Sequence, residues 1–402
     1  MSAALDITGL AGHRPSAGKS DPVARARAIA PIIEAAAPRT EAEKALPPEV
    51  LDAMHGAAIF RTLIPRAYNG EEIRPAQFFR LLETVAAADG STGWMLCQGS
   101  GCSFASAYLD PSSARAIWGD PRGVLAWGYG TGDAHVVPGG YRVKGTWGFA
   151  SGQKHATWIG GHCRIIEADG SIRKDADGTQ VERSMLVPRA QVRFHDVWNV
   201  VGLRGTNSDT YSFDDLFVPD EFAVRRDLDH ERRVDSPLYK FTTTNLYASG
   251  FAGVSMGIAR GTLDAFIAMA KTKTAASQPK PMRESEVLQS GIAQSEAKLR
   301  SAGAWLVEVL EQAWDVAERT GQVGMEERAW IRLATTSAIH RAKEVAEWAY
   351  HEAGASAIMI GGPFERRMRD IHASGQQVQG RSSHLEMCGQ YILGMNPAGR
   401  FF

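Results

Sequence analysis

The stretch GTWGFASGQKHATWIGGH, residues 145–162, sets side chains that could recognise a ligand among repeated glycines. Trp147, Phe149 and Trp158 supply rings, and Ser151, Lys154 and His155 supply polar groups. The segment is too glycine-broken for a helix and too aromatic for an idle loop. Strand alternation puts Trp147 and Phe149 on one face, while Ala150, Ser151 and Gly152 let a bound molecule approach the backbone closely. A second constellation is GLRGTNS, residues 202–208. It suits a tight turn beside a phosphate or a ring, with a guanidinium fork at Arg204 and hydroxyls at Thr206 and Ser208. Trp94, Cys97, Gln98 and Phe104 follow the cap-like Ser91-Thr92 at helical spacing. They read either as core or as the wall of a pocket for a flat ring, with Tyr129 as a further wall candidate. The run RDIHASGQQ carries Arg369, His372 and Gln377 near the C-terminal end.

Three zones must position these groups. Residues 22–120 read as a helical domain, with Asp21 as a cap and proline-marked helix starts. Residues 121–225 alternate, are rich in β-formers, and turn at Pro138-Gly139-Gly140 and Ala168-Asp169-Gly170. They predict a compact all-β domain, a small barrel. Residues 226–402 return to long amphipathic patterns and predict a bundle of four long helices, the last running through PFERRMRDIHASGQQVQGRSSHLEMCGQYILG. TAASQPKPMRES is expected to be a loop, and the first twenty residues a mobile tail rather than a signal peptide.

With 402 residues, 44% of them hydrophobic, the chain can bury a large core. Lys plus Arg number 44 and Asp plus Glu 45, a balance that points to neither a nucleic-acid nor a membrane partner. Cys97, Cys102, Cys163 and Cys388 form no CxxC pair, so neither a metal site nor a disulfide framework is expected, and a cytoplasmic setting fits. No apolar run approaches the roughly 18 residues that span a bilayer. No GxGxxG or GxxxxGK[ST] stands at a strand–helix junction, which points away from Rossmann folds.

The α–β–α order resembles the acyl-CoA dehydrogenase superfold. So do IFRTLIPRAYNG, AAADGSTGWMLC, GGYRVKGTWGFASGQKHATW, VWNVVGLRGTNSDTYSFDDLFVPD and FERRMRDIHASGQQ. In detail it is similar to the oxygenase branch, the two-component (group D) flavin-dependent monooxygenases. The resemblance spans about residues 25–395. It implies an α+β fold with a helical N-terminal domain, a middle β-barrel domain and a C-terminal four-helix bundle. It implies reduced FAD or FMN delivered by a separate NAD(P)H:flavin reductase, O2, a C4a-hydroperoxyflavin, a small aromatic or heteroaromatic substrate and a homotetramer.

Carried over residue by residue, Ser151 would donate toward the C4a–N5 edge of the flavin. Trp147, Phe149 and Gly152 would flank the ring, and Arg204, Thr206, Arg369 and Arg283 would help hold the cofactor. Trp94, Gln98, Phe104 and Tyr129 would face the substrate. His155, in an H-A-x-W pattern, reads as structural. The branch places a histidine where this chain has Gln377, and a glutamine cannot titrate near neutral pH. That departure weakens the case for phenol deprotonation and favours an electron-rich indole, or N- or S-oxygenation. His372, five residues earlier, points elsewhere on a straight helix. A true acyl-CoA dehydrogenase remains an alternative, although its TEPxAGSD and YEGT signatures are missing and Glu386 is the only nearby carboxylate. A flavin-free binding or scaffold protein is the other.

Overall fold

A computed structural model describes residues 21–274 and 280–397. The expected N-terminal tail and part of the 274–285 loop lie outside them. Helix α1 spans Pro22–Glu43, with the Asp21 carboxylate accepting from the Val23 amide at 3.3 Å. Helices α2 (Pro48–Gly56), α3 (Pro75–Ala88), α4 (Gly90–Ser103) and α5 (Pro111–Trp118) follow. The cap of α4 is Asp89 rather than Ser91-Thr92. Its Oδ2 accepts from both the amide and the hydroxyl of Thr92 at 2.8 Å, because a carboxylate one residue before the helix reaches the free amides best.

The strands are β1 (Leu125–Trp127), β2 (Gly132–Val137), β3 (Gly140–Trp147), β4 (Trp158–Ile166), β5 (Glu182–Pro188), β6 (Arg193–His195), β7 (Thr210–Pro219) and β8 (Ala223–Val224). They form one mixed sheet ordered β6-β7-β3-β2-β4-β5-β8, with β1 pairing parallel to β4. The β2–β3 hairpin turns at Gly139, whose φ of +79° suits glycine. Inward-facing Val143, Trp147, Ile159, Ile165, Tyr211 and Phe213 build a core separate from the helical one.

Helices α6 (Thr243–Thr272), α7 (Glu286–Thr320) and α8 (Met325–Ala353) complete the helical core. Gly253, Gly257 and Gly261 on α6 lie against the backbone of α3. A Cβ at these positions would sit 2.6 Å from Phe79 O, 2.4 Å from Glu83 O and 2.4 Å from Ala87 O. This spacing seats α3 on α6. The last helical segment is not one long helix but α9 (Glu365–Gly375) and α10 (Ser383–Ile392). Gln377 turns extended at ψ 150°, and Gly380 packs so closely that a Cβ would lie 2.9 Å from Gly375 O.

Candidate active site

Ser151 lies in a turn just after β3. The Phe149 carbonyl accepts the Ser151 amide at 2.9 Å, and Phe149 itself is left-handed at φ +62°. The Ser151 hydroxyl is 5% exposed and belongs to a chain of hydrogen bonds. Trp94 Nε1 on α4 donates to Ser151 Oγ at 3.1 Å. Ser151 Oγ and Ser208 Oγ are 2.6 Å apart, and Ser208 Oγ and Thr206 Oγ1 are 2.7 Å apart. Thr206 Oγ1 then donates to the Leu203 carbonyl at 2.8 Å.

The loop that supplies Thr206 and Ser208 is held by two buried carboxylates. Asp209 Oδ1 accepts the amides of Val197 and Trp198, both at 3.0 Å. Asp370 Oδ1, from α9, accepts the Leu203 amide at 2.6 Å. Gly202 makes this close docking possible, since a Cβ there would stand 2.1 Å from Arg369 O. Burial, then the neighbouring Asp89, pushes the Asp370 carboxyl up to about 7. Asp89 is raised too, chiefly by burial, against the pull of Arg366. Sequence reasoning missed Asp209 and Asp370. Both carboxylates were visible in the motifs, but nothing local showed that the loop amides would converge on them.

Ser151 also lines a narrow cavity with Leu46, Phe60, Met95, Ala126 and His155, and no carboxylate borders it. His155 Nε2 accepts the Leu46 amide at 2.8 Å, and burial, then Lys154, lowers its pKa to about 4. It is therefore a neutral acceptor that fastens the α1–α2 connection to the turn. On the outer side of the turn, Phe149 is 65% and Tyr129 80% exposed. Phe149 meets Trp198 edge-on at 5.9 Å, and Tyr129 pairs through its backbone with Gly148.

The structure separates residues that the sequence grouped. Trp147 does not share a surface with Phe149. It is fully buried, stacked on Tyr211 at 5.4 Å and donating to the His162 carbonyl at 2.9 Å, so no face remains for a ligand. Strand alternation stops at Trp147, where β3 ends, and the left-handed Phe149 swings its ring outward.

Phe104 is likewise core, against Tyr239 at 5.0 Å. Gln98 donates to the Trp127 carbonyl at 3.3 Å, and Trp94 stacks on Phe251 of α6 at 4.2 Å. The guanidiniums of Arg204 and Arg369 are already engaged. Both pair with Glu41 of α1, at 3.3 and 2.8 Å, and Arg369 also pairs with Glu365 at 2.8 Å, so neither stands free for a phosphate. Arg283 is exposed in the turn Met282–Glu284, tied to the end of α6 rather than to the Ser151 turn. His372 pairs with Glu347 of α8 at 3.3 Å, and Gln377 Oε1 caps the following turn by accepting the Gln379 amide at 2.7 Å. Gly152, at φ +77°, donates its amide to Thr206 O at 3.0 Å.

A helical N-terminal part, a mixed sheet and a helical C-terminal part in this order make an acyl-CoA dehydrogenase fold. Residues 249–379 match the family described as acyl-CoA dehydrogenase, C-terminal domain. The crystal structure of the HsaA monooxygenase from M. tuberculosis superposes with a TM-score of 0.86 at 26% identity, covering 95% of this chain and 99% of that one. An indole-3-acetate monooxygenase of Pseudomonas putida is 27% identical over 350 residues, 87% of each chain. An FADH(2)-dependent resorcinol hydroxylase, oxygenase component, of Rhizobium sp. is 25% identical and covers 97% of this chain and 99% of its own. Within the fold, the chain is similar to proteins named as oxygenase subunits or components of flavin-dependent monooxygenases.

The residues present fit a flavin. Phe149 and Tyr129 offer exposed aromatic faces beside the side-chain-free Gly148 on the outer side of the turn, while Ser151 lines the cavity of about 10 Å³ on its other side. A planar ring with a polar edge needs these groups.

Proposed function

We propose that this protein is the oxygenase component of a two-component flavin-dependent monooxygenase, taking reduced FAD or FMN and O2 to oxygenate a small aromatic or heteroaromatic substrate. The observation that carries this reading is the Ser151 hydroxyl, held by Trp94 and Ser208 in the turn that carries the exposed Phe149 ring, with no carboxylate among the described residues around its small cavity of about 10 Å³. A dehydrogenase needs a carboxylate base near its substrate. Glu386 does not serve, because it is exposed on α10.

When bound, the reduced flavin supplies the electrons that activate O2. The chain's own residues do the rest. Ser151 binds the ring edge, and Phe149, with Trp198 behind it, orients the ring. Met95, Phe60 and Leu46 keep water from the cavity, which limits wasteful release of peroxide. Trp94 holds Ser151 in place. Among the described residues of this wall, His155 is the one titratable side chain, and it stays neutral. The arrangement therefore suits a ring that reacts without losing a proton first, such as an indole, ahead of a phenol. A separate NAD(P)H:flavin reductase delivers the cofactor in this reading, which also takes the protein as a cytoplasmic homotetramer.

The test mixes protein, chemically reduced flavin and 18O2 with indole-type and phenol-type substrates, and follows products by mass spectrometry. One 18O atom per product, with indoles ahead of phenols, is the expected result. Full conversion of flavin equivalents to peroxide with every ring tried, together with dye reduction by an acyl-CoA, would establish the dehydrogenase instead.

A further inference from the structure

The hydroxyl chain beneath Ser151 has a favoured direction, the one that makes the most hydrogen bonds between its two ends. The Trp94 indole N–H can only donate, and the Leu203 carbonyl can only accept. Thr206 has one proton, and Leu203 O takes it at 2.8 Å. While Thr206 keeps that bond, the Ser208–Thr206 contact at 2.7 Å uses the Ser208 proton. The Ser151–Ser208 contact at 2.6 Å must in turn use the Ser151 proton. Ser151 accepts from Trp94 at 3.1 Å and has one lone pair left. In this direction Ser151, which lines the cavity, is left able to accept and not to donate, opposite to the donor role that the resemblance implies.

This polarity matters because N5 of a flavin changes sign with redox state. Oxidised flavin presents a bare nitrogen that accepts, whereas reduced flavin carries an N–H that donates. We infer that Ser208 and Thr206 are positioning residues that fix the Ser151 hydroxyl as an acceptor, so that the site favours reduced over oxidised flavin. The inference rests on the reading of Ser151 as the residue at the flavin edge.

For Ser151 to donate to oxidised flavin, all three hydroxyls must reverse together and Leu203 O must give up the Thr206 proton. That carbonyl also accepts from the Thr206 amide at 3.2 Å and from Trp198 Nε1 at 3.3 Å, so the reversed chain survives at the loss of one buried hydrogen bond. One such bond corresponds to roughly a fivefold preference. The far end of the chain is anchored in another element, since Asp370 of α9 holds the Leu203 amide at 2.6 Å.

Dissociation constants for oxidised flavin and, anaerobically, for reduced flavin test this, together with the midpoint potential of the bound flavin. Ser208→Ala frees the Ser151 proton, and Thr206→Val frees the Ser208 proton to turn toward Ser151. Each variant should lower the ratio Kd(oxidised)/Kd(reduced) by about fivefold or more and lower the potential accordingly. Ser208→Thr keeps a hydroxyl and should restore the ratio. Circular dichroism and thermal unfolding check that each variant folds. If both Ser208→Ala and Thr206→Val keep the wild-type ratio within about twofold while Ser151→Ala weakens reduced-flavin binding, the polarity argument is wrong and the site stands. If Ser151→Ala leaves both affinities unchanged, or neither flavin binds, the site itself is wrong and the inference goes with it.

Discussion

Replacing Asp370 by Asn should alter how the protein's stability depends on pH. Asp370 is 2% exposed where α9 meets the Leu203 turn, and its Oδ1 accepts the Leu203 amide. Asp89, 3% exposed, faces it, with Arg366 reaching Asp89 at 3.7 Å and Glu41 adding negative charge. Burial first and Asp89 second raise the carboxyl from 3.8 to about 7. A carboxyl with a raised folded pKa contributes stability that is fully present below the unfolded value and is lost as pH rises through the folded one. At about 1.4 kcal/mol per pKa unit, that rise amounts to roughly 4 kcal/mol between pH 4 and pH 8. Asp89 shares the interaction, so about 2 kcal/mol or more should belong to Asp370 alone. Asn stays neutral and still accepts the Leu203 amide. Denaturant unfolding of both proteins from pH 5 to pH 8.5 is the assay. Wild type should lose at least about 2 kcal/mol more than Asp370→Asn over that range. Parallel curves would refute the reasoning.

Gly257→Ala drives a Cβ to 2.4 Å from Glu83 O, so α3 and α6 must part, and denaturant unfolding should show a loss of about 2 kcal/mol or more. His155, whose pKa is lowered to about 4, contributes stability present above pH 6.5 and lost as pH falls toward 4. His155→Gln keeps an acceptor for the Leu46 amide and should flatten that loss by about 2 kcal/mol in the same assay. Phe149→Ala removes an exposed ring at a position already left-handed. Thermal unfolding should barely change, while fluorescence titration should show flavin affinity falling about tenfold.

The local signals that chose secondary structure were strong in this chain. Proline starts marked α2, α3 and α5, and Pro138-Gly139-Gly140 turned β2 into β3. The motif order pointed to an acyl-CoA dehydrogenase fold, and the fold comparison agrees. The GTWGFASG segment ends β3 and forms the turn that carries Ser151. What the sequence could not decide was which neighbours each group would meet. Alternation put Trp147 and Phe149 on one face, but the strand ended between them and the two rings parted. Arg204 and Arg369 looked free until folding brought Glu41 of α1 to both. The direction of the Ser151 proton depends on an indole from α4, two hydroxyls from the 202–208 loop and the carbonyl of Leu203, whose amide Asp370 of α9 holds. Periodicity and turn chemistry act over a few residues, so the sequence carried them. Hydrogen-bond direction and charge pairing depend on atoms far apart along the chain, so only the tertiary structure settled them.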